Sequence, residues 1–148
     1  ISAAIEASGE IYFSLWRENE GKSVQSFVDT LSKCYGISTF MAGQVASDLS
    51  YAKGHLDDAE DLYTFAPMGP GSMRGLNYLQ NRKPFAGWQQ DDFNQILYDI
   101  NKDIAEELRI TDLTLHDVQN VMCEYGKYCR VVLSEGVPKT LYKPEMEF

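Results

Sequence analysis

The sequence predicts an all-α chain, and three observations carry that prediction. Apolar residues recur at threes and fours, most clearly at Phe93, Ile96, Leu97, Ile100, Ile104 and Leu108, the spacing of one helix face. Helix punctuation brackets such stretches: Ser23 and Thr114 precede two of them, and Gly136 with Pro138 follows the last. No stretch alternates apolar and polar residues as a half-buried strand does.

Residues 1–17 fit neither period well, although Ile5, Ile11, Phe13 and Leu15 allow a helix ending near Gly9 or Trp16. Asn19 to Lys22 is a polar break containing Gly21. Ser23 then caps a helix carrying Val24, Phe27, Val28 and Leu31, which runs to about Lys33. Tyr35-Gly36-Ile37-Ser38 forms a short hairpin. The next helix has Phe40, Met41, Val45 and Leu49 as apolar positions, with Ala42, Gly43 and Ala46 small enough for close packing. This span, about residues 23–50, has the shape of a helix-hairpin-helix, which presents backbone amides to nucleic-acid phosphates. Any antiparallel helix pair would also use a glycine turn.

Tyr51 to Met68 reads as a loop with the acidic run Asp57, Asp58, Glu60 and Asp61. The segment at about 65–80 packs Pro67, Gly69, Pro70 and Gly71 together and opens a helix at Ser72. Asn81 to Gly87 is a further break, after which Gln90 or Asp91 starts the strongly amphipathic helix to Leu108. Thr114 and Asp117 resemble a capping box for a last helix over about 114–135. Its apolar stripe is Leu115, Val118, Met122, Tyr125, Cys129, Val132 and Leu133. The tail, with Lys139, Tyr142 and Lys143, reads as extended.

Composition sets outer bounds. The 148 residues, 44% hydrophobic, make one helical domain over 1–148. No apolar run of about 18 residues is present, so no membrane span is expected. The opening ISAAIEASGEIYF lacks Met and lacks a basic region before an apolar run, so the chain reads as the C-terminal part of a longer protein without a signal peptide. Three cysteines without a CxxC pair suit a reducing compartment, cytoplasmic or nuclear, and fit packing roles. With two histidines, neither a metal nor a cofactor is expected. The net charge of −9 opposes non-specific nucleic-acid binding. Yet no Asp or Glu occurs from Leu62 to Gln90, where Arg74, Arg82 and Lys83 make a basic island suited to a phosphate backbone. Ordinary charge scatter is the alternative.

Three groups of residues have the chemistry for a site. A Gly/Pro turn feeding a helix N-terminus offers unpartnered amides to an anion, and Arg74 in that first turn offers a planar fork. A tight turn with a surface arginine is the plainer reading, and the pattern is not a phosphate loop ending in GK[ST]. On the last helix His116, Asp117, Asn120, Glu124 and Lys127 fall within about a quarter turn of one another, a set able to run acid–base work. That arc lies opposite the apolar stripe, so a solvated face with a Glu124–Lys127 ion pair is the simpler account. The Asp57–Asp61 run serves as a metal ligand set, a catalytic carboxylate, or a solvated loop with helix caps. Trp16 and Trp88 read as core or lid residues.

GPGSMRGLNYL at 69–79 and LHDVQNVMCEYGKYCRVVLSEGVPKTLY at 115–142 resemble the alpha-glutamyl/putrescinyl thymine pyrophosphorylase group, and LSKCYGISTFMAGQVASDLSY at 31–51 is similar to its helix-hairpin-helix segment. That group includes the helical domain of 5-hydroxymethyl-deoxyuridine DNA kinases and belongs to bacteriophage DNA hypermodification. The resemblance implies a fold like that of helix-hairpin-helix DNA glycosylases and a base flipped out of DNA. It implies transfer of an amine or amino acid onto a pyrophosphorylated 5-hydroxymethyluracil, with release of pyrophosphate. On that footing Gly69, Gly71, Ser72 and Arg74 hold the pyrophosphate, and His116 or Asp117 deprotonates the amine. Asn120 reads the base edge, Glu124 and Lys127 order the site, and Asp61 occupies the glycosylase carboxylate slot. Gly36 and Ser38, with Arg82 and Lys83, meet the DNA. The chain has no kinase phosphate loop, so a kinase activity would belong to a partner or to a missing N-terminal segment. A glycosylase-like enzyme and a non-catalytic module that binds DNA or a partner remain as alternatives.

Overall fold

A computed structural model describes residues 23–137. The sequence readings for residues 1–22, including Trp16, and for the tail from 138 lie outside these. Among the described residues the regular elements are all helical: α1 (Val24–Leu31), α2 (Thr39–Ser50), α3 (Pro70–Leu79), α4 (Gln90–Leu108) and α5 (Leu115–Val132).

The chain builds two adjoining cores. The first gathers Val24, Phe27, Val28 and Leu31 of α1, Ala42 and Ala46 of α2, and Leu56, Ala59, Leu62 and Phe65 from the turns that follow. The second gathers Ala66, Leu76, Phe93, Leu97, Leu115, Val118 and Met122. The backbone thus passes from one core to the other between Phe65 and Ala66. Side chains of α4 hold that crossing: Asn94 Oδ1 accepts from the Ala66 amide at 3.2 Å and Gln90 Nε2 donates to the Ala66 carbonyl at 2.8 Å. The Leu115 amide donates to the Leu62 carbonyl at 2.9 Å, tying the start of α5 to the first core.

The hairpin between α1 and α2 turns at Gly36, whose φ of 85° is a conformation that glycine adopts without strain. Ile37 packs back onto the first core. In α4, Phe93 and Leu97 are fully buried, Ile96 and Ile100 pack at the edge, and Leu108 is exposed. The expected stripe therefore leaves the core in its last turns. The helix ends on Arg109 in the left-handed region, φ 56°. In the last helix the left-handed residue is Ser134, φ 58°, ahead of the expected stop at Gly136.

Among the described helices, α3 and α5 pack most closely. A Cβ added to Gly75 would stand 1.9 Å from the Met122 carbonyl oxygen, and one on Gly126 would stand 2.8 Å from the Gly71 carbonyl oxygen. Gly71 and Gly75 lie four apart on one face of α3, so glycine lets the two backbones touch.

Candidate functional site

Helix α3 begins earlier than expected, at Pro70 with Gly69 as its N-cap. Pro70 suits the first position because it brings no orphan amide. The Ser72 hydroxyl donates to the Gly69 carbonyl at 3.0 Å and accepts from the Gly69 amide at 3.3 Å. It also accepts from Gln119 Nε2 of α5 at 3.2 Å. The turn is covered by protein: a Cβ on Gly69 would lie 3.0 Å from Gln119 Nε2 and 3.2 Å from the Phe40 ring, and one on Gly71 would lie 2.4 Å from Cys123 Sγ. Gly69, Gly71 and Ser72 are thus brought together, but against Gln119 and Cys123. Arg74 is not with them. Its guanidinium lies 5.0 Å from the Phe85 ring centroid, over a hollow lined by Tyr78, Pro84, Phe85, Arg130 and Glu135.

Asp61 and Asp117 are not brought into one constellation. Each serves a different helix N-terminus. Asp61 Oδ1 accepts from the Val24 amide at 2.7 Å, and its Oδ2 accepts from the Gln25 amide and the Ser23 hydroxyl, both at 2.9 Å. A carboxylate across the dipole of α1 is strongly placed there. Asp117 closes the expected capping box, its Oδ2 accepting from the Thr114 amide and hydroxyl at 2.8 Å while Thr114 Oγ1 accepts from the Asp117 amide at 3.2 Å. Its other oxygen accepts from the Tyr51 hydroxyl, which pushes the Tyr51 phenol up to about 12. Among the described residues no group of three or more His, Cys, Asp or Glu is placed to hold a metal ion.

His116 departs most from the solvated-face reading. It is 5% exposed, because α2 covers that side of α5. Its Cε1 lies 3.7 Å from where a Cβ on Gly43 would stand. Among the described residues neither ring nitrogen has a hydrogen-bond partner. Burial holds its pKa below the usual value against the opposing pull of Asp117 and Asp48, so the imidazole is kept neutral. One turn on, Gln119 is 1% exposed with its Oε1 unpartnered. Asn120 lies half-buried beside it in the chain. Glu124 and Lys127 form an ion pair with both side chains largely in water, as the simpler account expects. Ser38 caps α2, its Oγ accepting from the Met41 amide at 3.2 Å, and Gly36 is exposed at the hairpin.

The basic island proves to be a built surface. Asn77 is fully buried and clamps the loop after α3. Its Nδ2 donates to the carbonyls of Pro84 at 3.2 Å and Ala86 at 2.9 Å, and its Oδ1 accepts from Trp88 Nε1 at 2.9 Å. Arg82 Nη2 donates to the Gly87 carbonyl at 2.9 Å while its guanidinium stacks 4.0 Å from the Trp88 ring. Trp88 in turn meets Phe93 edge-on at 6.5 Å. The clamped loop holds Phe85 outward, 84% exposed, and keeps Lys83 in solvent. Three hollows open along this side: one of about 650 Å³ at Arg82 and Trp88, one of about 520 Å³ at Arg82, Tyr125 and Tyr128, and one of about 370 Å³ at Arg74 and Phe85.

Gln119, Asn77 and Phe85 escaped the sequence reading. Gln119 sits at an apolar-stripe spacing between Leu115 and Met122, and a polar residue at such a position is the signal that a buried hydrogen bond is needed. Phe85 stands between Pro84 and Ala86 in an otherwise polar break, where a large ring has no helix face to join.

Among the described residues no helix is long and apolar enough to cross a membrane. No curated protein and no solved structure matches the chain. The family model for the helical domain of 5-hmdU DNA kinase matches residues 17–137. That match covers most of the chain and agrees with the all-helical architecture and with a setting of DNA base modification; the chain belongs to the 5-hmdU DNA kinase helical-domain family.

Proposed function

We propose that this domain engages DNA carrying 5-hydroxymethyluracil, and that it does so through the surface built on the 80–89 loop. One observation carries the reading. In a chain of net charge −9, the acid-free stretch from Leu62 to Gln90 folds so that Arg74 and Arg82 each lie over an aromatic ring beside open hollows. Guanidinium and ammonium groups take phosphates, and exposed rings take unstacked bases. The exposed Gly36 turn, in the manner of a helix-hairpin-helix, is a second phosphate contact on this reading. The test is titration of the full chain with DNA containing 5-hydroxymethyluracil, over a range of salt, for the wild type and an Arg82→Gln/Lys83→Gln double variant. Binding should weaken about tenfold or more, and the salt slope should fall by about two phosphate contacts. Binding unchanged in the variant would overturn the assignment.

A second reading is favoured by His116, a neutral imidazole with two unpartnered nitrogens. Here the domain transfers an amine onto pyrophosphorylated 5-hydroxymethyluracil. The amine nitrogen forms a bond to the methylene carbon as the carbon–oxygen bond breaks. Pyrophosphate leaves with the electron pair, and His116 takes the amine proton. This requires α2 and α5 to part at Gly43. Mass spectrometry of nucleosides after incubation with an amine panel decides it. An adduct supports the transfer, unchanged nucleosides exclude it, and abasic sites point to a glycosylase instead.

A further inference from the structure

We infer that the hollow between α3, the 84–88 loop and the end of α5 is a nucleotide site, with the base on Phe85 and a phosphate between Arg74 and Arg130. The inference rests on the DNA reading above and names the subsite it would use. The hollow is lined by Arg74, Tyr78, Pro84, Phe85, Arg130 and Glu135 and measures about 370 Å³, within the range of about 300–1,000 Å³ typical of small-molecule sites.

Three observations converge on it. Phe85 is 84% exposed on a loop that Asn77 pins by two hydrogen bonds. The ring meets the Arg74 guanidinium and otherwise lies in water, and stacking on a base covers the apolar surface left open. Arg74 lines the hollow with its guanidinium 5.0 Å from the Phe85 ring centroid. A guanidinium at the wall of an open hollow offers paired N–H donors to phosphate oxygens. Arg130 brings a second guanidinium to the same hollow from α5, and both arginines lie near enough to act on the Tyr78 hydroxyl.

Glu135 is the opposing charge. Its carboxylate accepts from the Tyr78 hydroxyl, which fixes it at the rim. Two guanidiniums against one carboxylate leave the hollow with a net positive charge, and planar guanidiniums match phosphate oxygens in pairs. The shared ligand chemistry is a pyrimidine nucleotide phosphate. It belongs either to a free nucleotide or to one unit of a single strand.

The test is calorimetric titration of the full chain with thymidine 5′-monophosphate, thymidine, inorganic phosphate and a short oligothymidylate. The wild type should bind the monophosphate more tightly than thymidine or phosphate. Phe85→Ala, at a side chain that is 84% exposed, should weaken it about tenfold. Arg74→Gln should weaken the phosphate-bearing ligands and leave thymidine unchanged. Glu135→Gln should tighten the monophosphate. Tighter binding of the oligothymidylate than of the monophosphate identifies a strand, and the reverse identifies a free nucleotide. No binding of any nucleotide overturns the inference, as does indifference to Phe85→Ala. Weaker binding of the monophosphate by Glu135→Gln overturns the placing of the phosphate between Arg74 and Arg130. If modified DNA binds through Arg82 and Lys83 but ignores Phe85→Ala, this inference fails and the DNA reading stands. If the monophosphate binds at Phe85 but modified DNA does not bind, the reverse holds.

Discussion

The N-termini of α1 and α3 face the same physical problem and solve it in opposite ways. Each starts with amides that have no partner within the helix. At α1 the chain supplies its own anion, the Asp61 carboxylate, to two amides and the Ser23 hydroxyl. At α3 it supplies no anion. Pro70 removes one amide, Ser72 bridges both polar groups of Gly69, and Gln119 with Cys123 closes over the turn. A glycine-rich turn entering a helix is therefore not by itself an anion site. Here its glycines answer to the crossing of α3 and α5, and Arg74, two residues into the helix from Ser72, lies over Phe85 instead.

Breaking the α3 side should have the largest effect. In Gly75→Ala the new methyl would overlap the Met122 carbonyl at 1.9 Å, and because the atoms it meets are backbone the helices must separate. A loss of about 3 kcal/mol or more is expected in denaturant unfolding. A loss below about 1 kcal/mol would show that the crossing is looser than described.

Breaking the α1 side comes next. Asp61→Ala removes three hydrogen bonds from a charged acceptor but leaves Ser23 as a local cap, accepting from the Ser26 amide at 3.2 Å. A loss of about 2 kcal/mol is expected. Added sulfate should restore part of it in the variant more than it stabilises the wild type, because the vacated N-terminus then accepts a solution anion.

A smaller, pH-dependent effect belongs to His116, on the helix whose N-terminus Asp117 caps. The fold holds the imidazole neutral, its pKa lowered by burial from 6.5. The unfolded chain therefore takes the proton first as pH falls. Stability is full above about 6.5 and declines below it toward the depressed folded value, by at most about 1.4 kcal/mol per pH unit. Unfolding measured from pH 8 to pH 5 should show this slope, and His116→Leu should flatten it. The smallest effect is at Lys127→Gln. Its ion pair with Glu124 is exposed, and a change within about 0.5 kcal/mol is expected by thermal melting.

The helices were legible because local chemistry dictates them. Ser23 and the Thr114–Asp117 box cap the helices they were expected to cap, and the 3.6-residue period finds Phe93 and Leu97. The family was legible from three ordered segments, which the match over residues 17–137 supports. What periodicity on one helix cannot show is what lies against its other faces. His116 fell on the side of α5 away from its apolar stripe, yet α2 covers it. Asp61 fell in an acidic run, yet its partners are 36 to 38 residues away in sequence. Asn77 looks like an ordinary surface amide until the loop it satisfies is folded against it, and Gln119 shows by its stripe spacing that it is buried but not that Ser72 is its partner.

The central claim is that modified DNA meets the surface built by the 80–89 loop and not the buried turn at Gly69. Amide chemical-shift mapping of the full chain, titrated with DNA containing 5-hydroxymethyluracil, tests it most directly. Shifts are expected at Gly36, at Tyr78 to Trp88 and at Arg130 to Glu135, with little change at Gly69 to Ser72. Shifts centred on Gly69 to Ser72 would contradict it.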